Sequence, residues 1–143
     1  MRNINLRYVE ETYAKDKTLQ SFSLHYPDTF NFGYDIVDDI AVNDSTRRAM
    51  IWCNPEGEEH VFTFADMKTW SDKTANFLKS LGIGKGDMVM VIVRRHYQFW
   101  FIATALAKLG AVMVPATFML KEHDLEYRLN NCLLYTSDAA DEL

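Results

Sequence analysis

Residues 88–93 read Met-Val-Met-Val-Ile-Val and are apolar at every position. A strand with one face in water alternates apolar and polar residues, whereas a strand without alternation has protein on both faces, which is typical of a parallel sheet. Parallel strands need long crossover connections, and these are usually helices. This segment therefore limits the chain to an α/β fold, with helices packed on a parallel sheet.

Helical and strand patterns alternate on both sides of this segment. Downstream, residues 97–109 predict a helix, residues 111–115 a short strand and residues 121–131 another helix. Upstream, two β-favouring runs at residues 49–53 and 60–64 flank a turn rich in Asn, Pro and Gly, which predicts a β-hairpin. The predicted fold is α/β, a β-hairpin followed by βαβα units of a parallel-rich sheet.

A helix is predicted to follow the hairpin. The Thr63 hydroxyl can accept a free backbone N–H of the first turn, and the Asp66 carboxylate suits the positive end of a helix. Gly82 stands where a left-handed residue ends a helix. Apolar residues recur between these limits at spacings of three and four, which defines the inward face: Met67, Trp70, Thr74, Phe77, Leu78 and Leu81.

The helix predicted over residues 97–109 is apolar nearly all round, with Phe99, Trp100, Phe101, Ile102, Leu106 and Leu109. Such a helix needs protein on several sides, and two short strands cannot supply that cover. Residues 1–131 are therefore interpreted as the N-terminal portion of a larger, incomplete α/β domain. The first forty residues predict irregular structure with two short helices, near residues 6–14 and 34–42.

Charge and cysteine content exclude several function classes. The net charge is −5 and the 15 lysines and arginines are scattered, which argues against a nucleic-acid partner. Cys53 and Cys132 form no CxxC pair and have no His at ligand spacing, so we expect no metal site and a cytoplasmic, reducing location. The start lacks the apolar run of a signal peptide, and the longest apolar stretch is too short for a membrane span.

The glycine-rich segment 82–87, Gly-Ile-Gly-Lys-Gly-Asp, could be read as a phosphate-binding loop. A phosphate loop follows a strand and opens a helix, whereas this segment follows a helix and precedes a strand. Its lysine also lacks the Gly-Lys-Ser/Thr context. The order favours a tight helix-to-strand connection.

Charged residues elsewhere form no recognisable catalytic relay. Arg94, Arg95 and His96 follow the apolar strand, where a carboxylate or phosphate could bind, but solvated side chains packed along their stems explain them better. His25, His60 and His123 are isolated and are interpreted as surface or turn residues. The acidic clusters at residues 38–39 and 56–59 are interpreted as exposed charges.

A linked series of motifs runs between residues 30 and 131: Phe30-Asn31-Phe32-Gly33-Tyr34-Asp35, Trp52-Cys53, Glu58-Glu59-His60-Val61-Phe62-Thr63-Phe64-Ala65-Asp66-Met67, Ser71-Asp72-Lys73-Thr74-Ala75-Asn76-Phe77-Leu78, Leu81-Gly82-Ile83-Gly84-Lys85-Gly86-Asp87, Phe99-Trp100-Phe101, Leu109-Gly110-Ala111-Val112, Val114-Pro115-Ala116-Thr117 and Asp124-Leu125-Glu126-Tyr127-Arg128. In this order the motifs are similar to those of the AMP-forming acyl-CoA synthetases, in the acetyl- and medium-chain branch of the adenylate-forming superfamily.

The resemblance implies an acid–CoA ligase that uses Mg-ATP to adenylate an acetic to medium-chain fatty acid and then transfers the acyl group to coenzyme A. The family's phosphate loop, its nucleotide-binding motifs and its C-terminal lysine lie downstream of residue 131 in the family's order. No catalytic residue is carried over, and the chain alone is expected to be inactive.

The resemblance also places one loop beside coenzyme A, at Thr117, Phe118 and Met119. Ligands of parallel sheets bind beyond the carboxyl ends of strands, which agrees with the position of this loop. Medium-chain relatives place a polar side chain where this chain has Met119, so any contact there would involve backbone or sulfur. The alternative is an ordinary strand-to-helix loop.

Residues 132–143 depart from the family pattern and are predicted to be a non-native tail. Tyr135-Thr136-Ser137 resembles the start of the family's phosphate loop but lacks its glycines. Two other functions remain open: an adenylation domain fragment that loads a carrier protein, and a stand-alone interaction module without catalysis.

Overall fold

The computed structural model describes the backbone of residues 5–140 and the side chains of residues 7–131. Two compact units make up the chain, one ending at Phe30 and one beginning at Asn31. None of the helices in the described part of the chain combines the length and apolar character that a bilayer crossing requires.

The first unit contains a short helix, α1 (Asn5–Tyr8), and an antiparallel hairpin of β1 (Val9–Tyr13) and β2 (Leu19–Leu24). The prediction of a helix over residues 6–14 was wrong beyond Tyr8. Val, Thr and Tyr in this segment favour a strand once a second strand lies alongside, and cross-strand pairing then satisfies the backbone groups. The helical spacing of the apolar residues gives no information about the pairing of β1 with β2.

The second unit opens with a π-helical segment (Phe32–Asp38) that continues into α2 (Asp39–Asn43). The helix expected near residues 34–42 is confirmed in position. Asn31 caps it, since its Oδ1 accepts the Gly33 amide at 2.9 Å while its Nδ2 donates to the Ala107 carbonyl at 2.6 Å. A Cβ at Gly33 would lie 2.5 Å from Lys108 Cγ, so glycine permits this segment to pack closely on a later helix.

The predicted hairpin is confirmed as β3 (Arg48–Cys53) paired antiparallel with β4 (Glu59–Thr63). Its turn is closed by Asn54, whose Oδ1 accepts the Glu58 amide at 2.8 Å and whose Nδ2 donates to the Glu58 carboxylate at 2.7 Å. Part of the acidic cluster at residues 56–59 therefore has a local structural role.

Helix α3 (Phe64–Ser80) begins at the predicted cap. Thr63 Oγ1 accepts the Asp66 amide at 3.2 Å and the Thr63 amide donates to Asp66 Oδ2 at 2.8 Å, which is a complete capping box. The Thr63 backbone N–H and the Thr63 hydroxyl both donate to the Asp66 carboxylate and hold its pKa below the ordinary value. The helix ends at Gly82, which has φ +91°, and the Ile83 amide donates back to the Leu78 carbonyl at 3.2 Å.

The two parallel strands are β5 (Met88–Val91) and β6 (Val112–Pro115), joined by helix α4 (Gln98–Leu109). This is the predicted crossover unit, with β5 ending two residues before the apolar segment does. The glycine-rich segment before β5 is the expected tight connection: the Gly84 amide donates to Asp87 Oδ2 at 2.7 Å and the Gly86 amide donates to the Gly110 carbonyl at 3.0 Å. Both amide N–H groups therefore already donate to oxygen atoms of the chain itself.

Helix α5 (Glu122–Ala140) follows β6 and continues past residue 131, where the sequence pattern predicted its end. The side chains of residues 132–143 lie outside the described residues. The suggestion that this segment is a non-native tail therefore stays a prediction, as does the boundary at residue 131.

A buried ion cluster connects three helical segments of the second unit. The Lys108 side chain is 1% exposed, and its ammonium donates to Asp38 Oδ1 at 2.7 Å and to Asp72 Oδ1 at 2.6 Å. Lys68, which is more exposed, reaches the other oxygen of Asp72 at 2.6 Å. Burial acts to raise the pKa of the Asp72 carboxyl, but hydrogen bonds and charge from the two lysines outweigh it and hold the pKa below its ordinary value.

The apolar core beside this cluster is small. Val37, Met67 and Phe101 are its buried residues, and the hairpin covers part of it. On the far side, an open apolar groove of about 600 Å³ lies between α3, β5 and α4. Phe77, which was predicted to face inward, lines this groove and is 61% exposed because nothing covers it. Trp100 on α4 is 55% exposed, in agreement with the expectation that this helix lacks its covering protein.

We predict that Lys108→Met lowers the free energy of unfolding by about 3 kcal/mol, because it leaves the Asp38 carboxylate nearly buried without its main partner. Urea unfolding of the protein translated from the complete gene would measure this. The matched control Lys68→Met removes a more exposed ammonium from the same cluster and is expected to cost only about 0.5 kcal/mol. Equal losses in the two variants would contradict the role assigned to Lys108.

We also predict that residues 1–143 expressed alone form soluble aggregates or precipitate, because the open apolar groove and the edges of β5 and β6 have no partner. Size-exclusion chromatography with light scattering would measure the monomer fraction. The double variant Trp70→Gln/Phe77→Gln, which changes two partly exposed residues of the groove, is expected to raise that fraction, whereas Tyr127→Gln, which changes an exposed residue outside the groove, is not. A monomeric, cooperatively unfolding wild-type chain would refute this prediction.

Candidate functional site

A groove of about 920 Å³ opens at the carboxyl edge of the parallel strands. The loop after β5 forms one wall, with Arg94 and Arg95, and the loop after β6 forms another, with Thr117 and Phe118. The turn of the β3–β4 hairpin closes the third side. Loops at this edge are where ligands bind in open α/β sheets, so the groove is the candidate functional site.

The hairpin is joined to the loop after β5 by one side-chain hydrogen bond. Trp52 Nε1 donates to the Arg95 carbonyl at 2.6 Å, which satisfies an indole N–H that packs against protein. The Tyr97 ring lies edge-on to Trp52 with centroids 5.4 Å apart, and it also contacts His60 at 5.3 Å. This aromatic cluster holds the backbone of residues 94–97 in place.

The loop predicted to contact a ligand lines the groove. Thr117 Oγ1 accepts the Met119 amide at 3.3 Å, and the Leu120 amide donates to the Thr117 carbonyl at 3.3 Å, so the loop turns locally. Phe118 is 50% exposed and Met119 73% exposed. The structure therefore brings all three predicted residues to the groove, and their contact with coenzyme A stays a prediction.

The sequence interpretation weighed an anion site at Arg94 but assigned this residue no function. Its guanidinium carbon lies 4.7 Å from the centroid of the Phe118 ring, which is a cation–π distance. In the described part of the chain neither Arg94 nor Arg95 forms an ion pair with a carboxylate. The interpretation of these arginines as ordinary solvated side chains overlooked a contact that joins the two loops.

His60 differs from the other isolated histidines. It lies on β4 and packs within the aromatic cluster, with ring centroids 5.6 Å from Trp52 and 6.0 Å from Phe62. His25 contacts the Glu10 carboxylate at 3.2 Å, and His123 contacts Asp124 at 3.1 Å. The interpretation of His60 as a surface residue is confirmed, since the residue is exposed, and the structure adds that it lines the groove.

The groove combines binding groups without a catalytic relay. It offers two guanidinium groups, a threonine hydroxyl and exposed aromatic rings, opposite Glu56 and Glu58 on the hairpin. Among the described residues, no group of three His, Cys, Asp or Glu could hold a metal ion. The arrangement can bind a molecule with anionic and flat aromatic parts, but it supplies no nucleophile paired with a base.

A comparison with protein families matches residues 37–134 to the family described as AMP-binding enzyme. The human mitochondrial acyl-coenzyme A synthetase ACSM3 is 32% identical over 125 residues, which is 80% of this chain and 21% of that protein. The chain thus spans about a fifth of the length of the curated relatives it matches.

Solved structures agree with this assignment. The Mycobacterium tuberculosis fatty acyl CoA synthetase superposes with a TM-score of 0.62 and 27% identity, over 71% of this chain and 20% of that chain. Klebsiella oxytoca NpsA in complex with 3-hydroxyanthranilyl-AMSN gives a TM-score of 0.63 and 25% identity, over 73% of this chain and 20% of that one. The α/β architecture is therefore that of the N-terminal part of adenylate-forming enzymes.

We predict that Trp52→Phe loosens the loop after β5, because the variant keeps an aromatic ring but loses the N–H donated to Arg95. Loss of one such bond, worth about 1 kcal/mol, should speed tryptic cleavage after Arg94 and Arg95 about fivefold. Mass spectrometry of the peptides over time would measure it. Trp100→Phe is the matched control and should leave that rate unchanged; the same acceleration in both variants would contradict the role of the bond.

Proposed function

This chain belongs to the AMP-binding enzyme family, and on that premise we propose that it contributes the N-terminal part of the large domain of an AMP-forming acid–CoA ligase. Two findings support this choice within the family. The curated relatives that it matches are acyl-coenzyme A synthetases, and the groove presents arginines and aromatic rings suited to a large anionic acceptor.

The proposed reaction has two steps. A carboxylate oxygen of an acetic to medium-chain fatty acid attacks the α-phosphorus of ATP, a new P–O bond forms, and pyrophosphate leaves to give an acyl-adenylate. The thiolate of coenzyme A then attacks the acyl carbon, a C–S bond forms, and the C–O bond to AMP breaks. Acid, ATP and coenzyme A are thus the partners of the complete enzyme.

The described residues would act in this reaction by support and binding. The Lys108 cluster holds α3 and α4 together behind β5, and the loops at the carboxyl edge of β5 and β6 border the acceptor. Thr117, Phe118 and Met119 would lie beside coenzyme A, with backbone and sulfur contacts from Met119. No residue here carries out the proton or phosphoryl chemistry of either step.

Magnesium, which the family uses with ATP, does not fit the described residues. Mg²⁺ prefers carboxylate oxygens and retains several waters. Asp38 and Asp72 lie close together, but both already accept from the ammonium groups of Lys108 and Lys68, so their oxygens are occupied. We therefore derive no step of the reaction through a metal ion held by this part of the chain.

We further propose that the protein acts in the cytoplasm. Cys53 is free and exposed, as expected in a reducing compartment. The curated relatives carry "mitochondrial" in their names. Immunoblotting of cell fractions would separate the two locations, and recovery in mitochondria would overturn the proposal.

The protein translated from the complete gene is expected to exchange radiolabelled pyrophosphate into ATP only when a carboxylic acid is added, because acyl-adenylate formation is reversible. Residues 1–143 alone should show no exchange above a buffer control. Exchange by the short chain would mean that catalytic groups are present in it. Absence of exchange in the complete protein, over acetate to decanoate, would instead favour a non-catalytic interaction module.

The identity of the acyl acceptor separates the main proposal from a carrier-loading adenylation domain. With coenzyme A present, the complete protein is expected to form acyl-CoA, detected by liquid chromatography and mass spectrometry, with stoichiometric release of AMP. Adenylation without thioester formation on coenzyme A, but with transfer to a phosphopantetheinyl carrier protein, would support the alternative.

A further inference from the structure

Three residues of the loop after β6 line the groove, and none of them is charged. Thr117, Phe118 and Met119 offer a hydroxyl, an aromatic ring and a thioether, whereas Lys121, at the end of the same loop, is not among the lining residues. Coenzyme A carries several phosphate charges, so if these three residues border the acceptor, the cation that meets a phosphate must come from another part of the groove. Arg94 is the candidate, because its guanidinium lies over the Phe118 ring.

We propose that Arg94, positioned on Phe118, binds a phosphate group of the acyl acceptor at this edge of the sheet. The inference rests on the proposed function and adds a binding residue to it. The guanidinium carbon is 4.7 Å from the ring centroid, so Phe118 contacts the group, and both residues line the groove.

The position of Arg94 is fixed from two sides. Behind it, the indole of Trp52 donates to the carbonyl of the next residue, Arg95, at 2.6 Å and anchors the loop to the hairpin. In front of it, the half-exposed Phe118 ring limits the directions that the long side chain can take. Because the Arg94 side chain is already restricted before a ligand binds, binding costs less conformational entropy.

The charge of Arg94 is free to meet an anion. Within residues 7–131 it makes no ion pair, in contrast to Lys108 and Lys68, which are paired with aspartates. Arg95 lines the same groove and adds a second positive charge nearby. A guanidinium binds phosphate through two parallel N–H donors, which makes this pair of arginines suited to a phosphate ester.

The test measures the affinity of the protein translated from the complete gene for coenzyme A by isothermal titration calorimetry. Arg94→Gln is expected to raise Kd about tenfold, as one charge-assisted phosphate contact would predict. Arg94→Lys keeps the charge but not the planar group and should raise Kd only about threefold. The slope of log Kd against log salt should be shallower for Arg94→Gln than for the wild type.

The matched control is Arg47→Gln. Arg47 is also exposed and also lies over an aromatic ring, 5.9 Å from the centroid of Phe64, but it does not line the groove. Its replacement removes the same charge and should leave Kd within twofold. An equal loss in Arg47→Gln and Arg94→Gln would mean that only net charge matters, and it would overturn the assignment.

Separate titrations with ATP and with inorganic phosphate distinguish the sources of the phosphate. The proposal expects Arg94→Gln to leave the affinity for ATP unchanged. A loss confined to ATP or to inorganic phosphate, with normal affinity for coenzyme A, would overturn it. Wild-type protein that binds no coenzyme A would overturn the proposed function as well, whereas normal binding by Arg94→Gln would refute only the role of Arg94.

Discussion

The buried ammonium of Lys108 is the contact on which the second unit depends. It donates to the carboxylates of Asp38 on the π-helical segment and of Asp72 on α3, which compensate its charge. A charge with 1% exposure and no partner would cost several kcal/mol, so the three segments can pack only in the arrangement that brings these groups together. Among the described side chains, no buried nitrogen or oxygen lacks a hydrogen-bond partner.

That cluster determines where the candidate site lies. It holds α4 behind the parallel strands, and α4 in turn carries Tyr97 and the preceding loop to the hairpin. The groove therefore forms where three connections converge, although none of them contains a catalytic residue. Such a scaffold contributes to function by holding loops at fixed distances from one another. Helices and strands hold these positions more precisely than loops could by themselves.

The apolar groove on the other side of α4 explains why so little of the chain is fully buried. Trp70 and Phe77 line this groove and are 46% and 61% exposed, and Trp100 on α4 is 55% exposed. Their exposure agrees with a segment that matches about a fifth of its curated relatives, in which further strands and helices would cover such surfaces. Apolar area of this size is typical of an internal layer of a large domain.

Local patterns made much of this fold predictable. The Thr63–Asp66 capping box, the helix end at Gly82 and the apolar run of β5 depend on neighbouring residues, and each was confirmed. The family could also be predicted, because linked motifs retain their order. The first hairpin could not, since the apolar spacing of residues 6–14 also fits a helix and only the pairing of β1 with β2 decides for a strand.

The sequence by itself determined the α/β alternation, the helix limits and the position of the loop after β6, because propensity, capping and periodicity act over a few residues. Only the tertiary structure decided what Lys108 and Arg94 do. Lys108 meets Asp38 across 70 residues and Arg94 meets Phe118 through the parallel pairing of two strands. The sequence shows which side chains are charged, but the partner of each charged group depends on how distant segments of the chain pack together.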